Sequence, residues 1–206
     1  MSSKTLEMAR KLVKRLEEEE KKSKVQLCEL HPGDTFKIGD HDFIVLDQNE
    51  YAETTAVISK GFMAGKIVFD DDARDYSKSN LRNVIEEKIQ PIIESEVGTE
   101  NIVERSVDLT SVDMQEEFSC FKCKVRPITF DEARKYNDLL VNKELDDWWW
   151  TCTPWSTAER EWGHSIAVVA SSGFSGCRSC NCGSGVRPFC ILKSNIFVSI
   201  TFLRLD

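Results

Sequence analysis

Residues 171–190 read SSGFSGCRSCNCGSGVRPFC, and nothing else in the chain is composed like them. On the N-terminal side they are approached from Asp146-Asp147 and three consecutive tryptophans, Trp148, Trp149 and Trp150. On the C-terminal side lies an apolar run from Ile191 to Leu203, which reads as a closing strand. A Gly/Ser linker would account for the small residues. It would not account for Cys177, Cys180 and Cys182, nor for its place between two apolar runs.

The genetic code offers another cause. If each adenine of an asparagine codon, AAC or AAT, is free to become any base, the products include Phe, Ser, Gly, Cys, Arg and Asn. They never include Lys, Glu, Gln, Met or Trp. Every residue from Phe174 to Ser184 belongs to the permitted set, and none of the five excluded types occurs from Gly163 to Cys190. Those five types fill 49 of the 206 positions. About seven would therefore be expected in a window of this length on composition alone.

The flanks carry a family resemblance. DDWWWTCTP (146–154), the Ser/Gly/Cys segment, GVRPFCIL (185–192) and NIFVSI (195–200) together resemble the C-terminal half of a phage protein family. That family is similar to the variable proteins of diversity-generating retroelements, whose target genes are rewritten at adenines by an error-prone reverse transcriptase. LHPGDTFKIGDHDFIVLD (30–47) matches more weakly, and the N-terminal helix lies outside the resemblance. The resemblance implies an α+β, C-type-lectin-like domain of the formylglycine-generating-enzyme variety. Such a domain has a central twisted antiparallel sheet and two flanking helices. Gly185 and Arg187 of GVRP look like the Gly-Phe-Arg motif near the end of that fold.

The same resemblance implies a non-enzymatic binding protein that takes a host-surface or protein ligand and needs no cofactor or metal. The variable segment spans about 163–184. The candidate ligand-contacting residues are Gly163, His164, Phe174, Ser175, Gly176, Cys177, Arg178, Ser179, Cys180, Asn181, Cys182, Gly183 and Ser184. Trp148, Trp149, Trp150, Gly185 and Arg187 are framework residues. Phe174 and Arg178 are the candidate anchors, because aromatic and Arg side chains dominate binding interfaces. An Arg inside an apolar motif needs a partner, and Asp146 or Asp147 is the expected one for Arg187.

Length and composition suit one domain with a short appendage, 1–24 preceding 25–206. A net charge of −8 with no basic stripe argues against a general nucleic-acid binder. No apolar run approaches a membrane span, and the charged N-terminus does not read as a secretory signal. A phage virion or the host cytoplasm is the expected location, without membrane insertion. Eight cysteines without a signal sequence point to thiols kept reduced.

Along the chain, Leu6, Ala9, Leu12, Val13 and Leu16 recur at helical spacing over 5–24. That stripe suits either a helix laid on its own domain or a short bundle that joins copies into a homo-oligomer. Thr35–Ile38 and Asp42–Leu46 read as a hairpin around Gly39-Asp40, and 54–60 and 66–69 read as further strands. Ser79 caps a helix over 80–94 that Pro91 kinks or splits and Gly98 stops. Asp70, Asp71, Asp72 and Asp75 lack the pattern of a calcium loop and read as a solvated acidic turn. His31 and His41 are isolated. Thr129 and Glu132 form a capping box that opens a helix from Phe130 to about Val141. Alternation along a strand puts Trp148 and Trp150 on one face and Trp149 on the other. Ile166–Ala170 reads as a strand, and 171–184 as polar loop.

Chemistry is sparse. No Ser-His-Asp signature, phosphate loop, HExxH or dinucleotide motif occurs. Cys120 and Cys123 form a lone CxxC, half of what a zinc site requires. Formylglycine-generating enzymes use a cysteine pair to activate oxygen. Cys152, Cys177, Cys180, Cys182 and Cys190 supply sulfur in that region, but no flanking pattern marks two of them as the pair. A copper- or zinc-dependent enzyme, and an undiversified phage structural protein, are the alternative readings.

Overall fold

Two sheets and two helical segments follow from the burial pattern of the strands. A computed structural model describes residues 6–8, 10–13 and 24–200. Its strands are β1 (Lys24–Gln26), β2 (Thr35–Ile38), β3 (His41–Asn49), β4 (Thr54–Ser59), β5 (Ala64–Val68), β6 (Arg105–Val107) and β7 (Phe121–Cys123). They continue as β8 (Val125–Pro127), β9 (Trp149–Pro154), β10 (Ser165–Val169), β11 (Ser175–Ser179), β12 (Gly183–Val186), β13 (Pro188–Lys193) and β14 (Phe197–Ile200). The first sheet has seven antiparallel strands in the order β1-β14-β2-β3-β4-β13-β8. The second has five, β11-β10-β9-β12-β5, with a parallel contact at Gly185 and Trp149. β6 and β7 form a separate ribbon. The fold is thus α+β and mostly antiparallel, with the expected single central sheet replaced by two.

Local signals act where the sequence places them. The β2–β3 turn needs a left-handed residue, and Gly39 supplies it at φ 58°. Ser79 accepts the Arg82 amide and opens helix α1 (Asn80–Val84). A π turn (Ile85–Ile89) and helix α2 (Gln90–Val97) continue the same run to Gly98 at φ 85°. Pro91 has no N–H to give the preceding turn, and the widened hydrogen-bonding just before it absorbs that loss without a break. Leu81, Ile85, Ile89 and Ile93 are buried against both main sheets.

Thr129 and Glu132 make the capping box of helix α3 (Phe130–Lys135). Tyr136, at φ −106° and ψ 15°, ends that helix, and a second short one, α4 (Asn137–Leu140), follows. The single helix expected to run to Val141 is therefore two. Ala133 and Leu140 cover a smaller core with Ile44, Leu46, Ile58, Trp149 and Phe189. The run after Cys190 also divides, into β13 and β14 around a turn at 194–196.

Arg126 and Glu132 tie β8 to α3. Their side chains meet in a two-pronged pair at 2.6 and 2.7 Å, and Arg126 stacks 4.5 Å from the Phe189 ring centroid. Burial alone would raise the Glu132 pKa. The Arg126 hydrogen bonds and charge, with the Thr129 amide and hydroxyl, outweigh it and hold the carboxyl below its usual value. A carboxylate depressed in the folded state stabilises above its unfolded pKa and loses that contribution as pH falls through the folded value. Thermal melts should therefore fall steeply below about pH 4.5. A Glu132→Gln variant should be less stable at pH 7 and should show a shallower acid dependence.

In the N-terminal helix the described apolar residues are exposed: Leu6, Leu12 and Val13 are each at least half exposed. Ala9 and Leu16, the rest of that stripe, lie outside the described residues, as does Phe202. Among the described residues no helix is long and apolar enough to cross a membrane.

Candidate functional site

The tryptophan run anchors the second sheet from its middle strand. Trp149 and Trp150 are fully buried on β9, in the smaller and larger core respectively, and Trp148 is half-buried beside the larger one. This is the expected alternation. The Trp150 indole donates to the Ile67 carbonyl at 2.7 Å and ties β9 to β5. Arg187 is buried with its guanidinium 4.8 Å from the Trp149 ring centroid.

Arg187 does not pair with Asp146 or Asp147. Its Nε donates to the Ser59 carbonyl and its Nη1 to the Leu140 carbonyl, at 2.9 and 3.0 Å. Its Nη2 has no hydrogen-bond partner among the described residues. Burial pulls its pKa down to about 10, still charged at neutral pH. Two backbone carbonyls and an aromatic face thus replace the expected carboxylate. They lock β4, α4 and β9 to the GVRP turn. Among the described residues no carboxylate lies within salt-bridge distance of Arg187, and Asp147 is engaged elsewhere.

Asp147 instead meets Arg178, at 3.0 Å, and the same guanidinium nitrogen donates to the Ser184 hydroxyl at 2.9 Å. Arg178 is therefore a partly buried clamp between the Trp run and β12, and only part of it faces solvent. The segment 171–184 is not a polar loop. Half of it is strand: β11 pairs with β10 over five consecutive positions, Ser165↔Ser179 to Val169↔Ser175. The turn between β11 and β12 closes with the Cys182 amide on the Ser179 carbonyl, 3.0 Å. Sequence could not show this, because Ser, Gly and Cys carry no period-two signal of their own. The pairing is imposed by the apolar β10.

The candidate residues divide into two sets. Phe174, Cys177, Asn181 and His164 are exposed, and Gly163, Ser175, Gly176, Ser179 and Cys182 are half-exposed. Cys180 and Ser184 are buried. The Cys180 amide donates to His164, and its carbonyl accepts from Phe69 and Asp70, at 2.6, 3.0 and 3.1 Å. It therefore stitches the two ends of the five-stranded sheet together. Asp70, in the acidic turn, accepts the amides of Asp72, Ala73 and Asn80 and fixes the loop that holds Cys180. Gly183 has no room for a side chain: a Cβ would lie 2.9 Å from the Lys66 carbonyl oxygen. At Gly185 it would lie 2.4 Å from the Phe62 ring. Cys180, Gly183 and Ser184 thus belong with the framework.

Beside β11 lies an aromatic shelf that residue spacing does not foretell. Phe174 meets Trp148 edge-on, with centroids 5.9 Å apart, and the lack of a side chain at Gly176 lets the Trp148 ring pack against the strand. At the other end, His164 Nδ1 lies 4.0 Å from Asp72. A cleft of about 400 Å³ there is lined by Asp72, Arg74, Glu117, Phe118, Gly163 and His164. Arg74 is itself buried in a two-pronged pair with Glu117 at 2.6 Å.

Burial favours the protonated form of five thiols. Burial pushes Cys152 and Cys190 up to about 12 and Cys123 to about 11, and it also raises Cys177 and Cys180. Nucleophilic or metal-ligating cysteines need the opposite shift. All eight are free, and among the described residues no three His, Cys, Asp or Glu side chains are arranged to hold a metal ion. No protein-family model matches the chain, and no curated protein or solved structure matches it.

Proposed function

We propose that the chain is a non-enzymatic binding protein whose ligand face is β11 with its adjoining turn and shelf. Its exposed side chains would be dealt by retroelement mutagenesis, on a C-type-lectin-like framework. One observation carries the reading. Within the Ser/Gly/Cys segment, Phe174, Ser175, Cys177, Ser179 and Asn181 reach solvent, whereas the positions that hold the sheets together, Cys180, Gly183 and Ser184, are buried or sterically closed. Affinity can then be varied at the first set without unfolding the second. The exposed apolar stripe of the N-terminal helix suits association of copies, and repeated weak faces gain by avidity. The ligand would be a host-surface or other protein, met by a phage component.

Two measurements test this. Sequencing around the gene should find a reverse transcriptase gene and an adenine-rich near-copy of codons 163–190; a neighbourhood without either removes the retroelement. Substitution scanning should show Phe174, Ser175, Cys177 and Asn181 tolerating most residues within about 0.5 kcal/mol. Gly183→Val, Cys180→Lys and Ser184→Lys should each cost about 2 kcal/mol or more, through overpacking or an unpaired buried charge. Equal tolerance at both sets would sink the division between face and framework.

A further inference from the structure

We propose that β11 is a strand-addition site: its free edge pairs with the backbone of an extended segment of a protein ligand. The inference rests on the binding face proposed above and names what that face recognises.

The register decides which backbone groups are free. The Ala170 amide donates to the Phe174 carbonyl, and the Cys180 amide to the His164 carbonyl. Between them Val168 faces Gly176 and Ile166 faces Arg178. In an antiparallel ladder alternate residues are the hydrogen-bonded pairs. Phe174, Gly176, Arg178 and Cys180 therefore turn their N–H and C=O toward β10. Ser175, Cys177 and Ser179 turn theirs outward. The Ser179 carbonyl is taken by the Cys182 amide. The N–H and C=O groups of Ser175 and Cys177 have no partner on another described residue, and β11 is the outermost strand of its sheet.

Natural edges are usually blunted by Pro, Lys, a bulge or a cover. The opposite edge of the same sheet is: β5 carries Lys66 at φ 55°, and its pairing with β12 shifts register between Ser184 and Val186. β11 has none of these devices. Its five-position register is unbroken, its residues are Ser, Gly, Cys, Arg and Ser, and Cys177 is exposed.

The chemistry of the edge selects its occupant. Outward donors and acceptors at every second residue match another peptide backbone, with alternate side chains left to pockets. Phe174, Gly176 and Arg178 share one face of the strand, where Gly176 packs closely against the half-buried Trp148 ring beside the exposed Phe174. An added strand would place a large apolar side chain there. A second copy fits less well. An antiparallel self-pair centred on Cys177 sets each Phe174 against the partner's polar turn at Cys180. A pairing of two five-residue strands also buries far less than the roughly 1,200 Å² of a stable interface. Backbone pairing has one further property that suits this face: it survives changes in the side chains of β11 other than to proline.

Random linear peptides selected by display on the full chain provide the probe. Cys177→Pro removes an outward N–H and leaves the bonds to β10 intact, so its melting temperature should stay close to that of Cys177→Ala. Selected peptides should lose at least about tenfold more on Cys177→Pro than on Cys177→Ala, which removes the side chain but keeps the N–H. Should Cys177→Pro fail to fold, single N-methylation along a selected peptide carries the same test. Binding should then fall with a period of two residues. Peptides that need Phe174 and Arg178 but ignore both perturbations would overturn strand addition and leave the binding face standing. A selection that yields no binder would also overturn it. So would a dimer of the free chain that Cys177→Pro dissolves, since the occupant would then be a second copy.

Discussion

Replacing Arg126 by methionine is expected to cost about 3–5 kcal/mol, the range for removing one partner of a buried pair. The guanidinium is almost wholly enclosed, and Glu132 is largely so. Methionine fills much of the volume but leaves a carboxylate facing an apolar wall and Phe189. The loss should lower the melting temperature by roughly 10 °C for a chain of this size. Adding Glu132→Gln to the same variant should restore a large part of it, because the stranded charge is then gone. A single variant that melts like wild type would mean the pair is not closed in solution. Arg187 provides the control. It leaves no carboxylate behind, so Arg187→Met should cost less than Arg126→Met, although both side chains are equally deep.

Trp149→Ala should be comparably severe, at about 3–5 kcal/mol. The ring is fully buried on the middle strand of the second sheet, packs with Ile58 and Phe189, and lies under the Arg187 guanidinium. Removing it opens a large cavity and uncovers one side of a charge. Trp148→Ala should cost much less, since that ring is half-buried at the rim of the larger core and not enclosed in it. Urea unfolding of the two variants measures the contrast directly; equal losses would mean the two rings are not divided between core and surface.

The parts of this fold legible in the sequence are those where one residue type has one physical use. Gly39 is a left-handed turn, Ser79 and the Thr129/Glu132 pair are helix starts, and adjacent tryptophans on a strand must alternate. Where the outcome depends on a distant partner, the sequence was mute. Ser175–Ser179 is strand only because β10 offers a ladder. Tyr136 interrupts a helix whose spacing continues through it. The partner of Arg187 is the backbone of two elements far away in sequence, and no side-chain pattern encodes that. At the candidate site, composition singled out a stretch of chain. It did not separate Cys177, which faces outward, from Cys180, which faces the core, because sorting them required the register with β10.

The connection from Ser179 to Gly183 has a consequence for how such a face could evolve. Cys180 is bonded to both ends of its sheet, and Gly183 sits flush against Lys66. One inserted or deleted residue would pull one of these anchors out of place. Change in this stretch is therefore confined to substitution at constant length, whatever the stretch does.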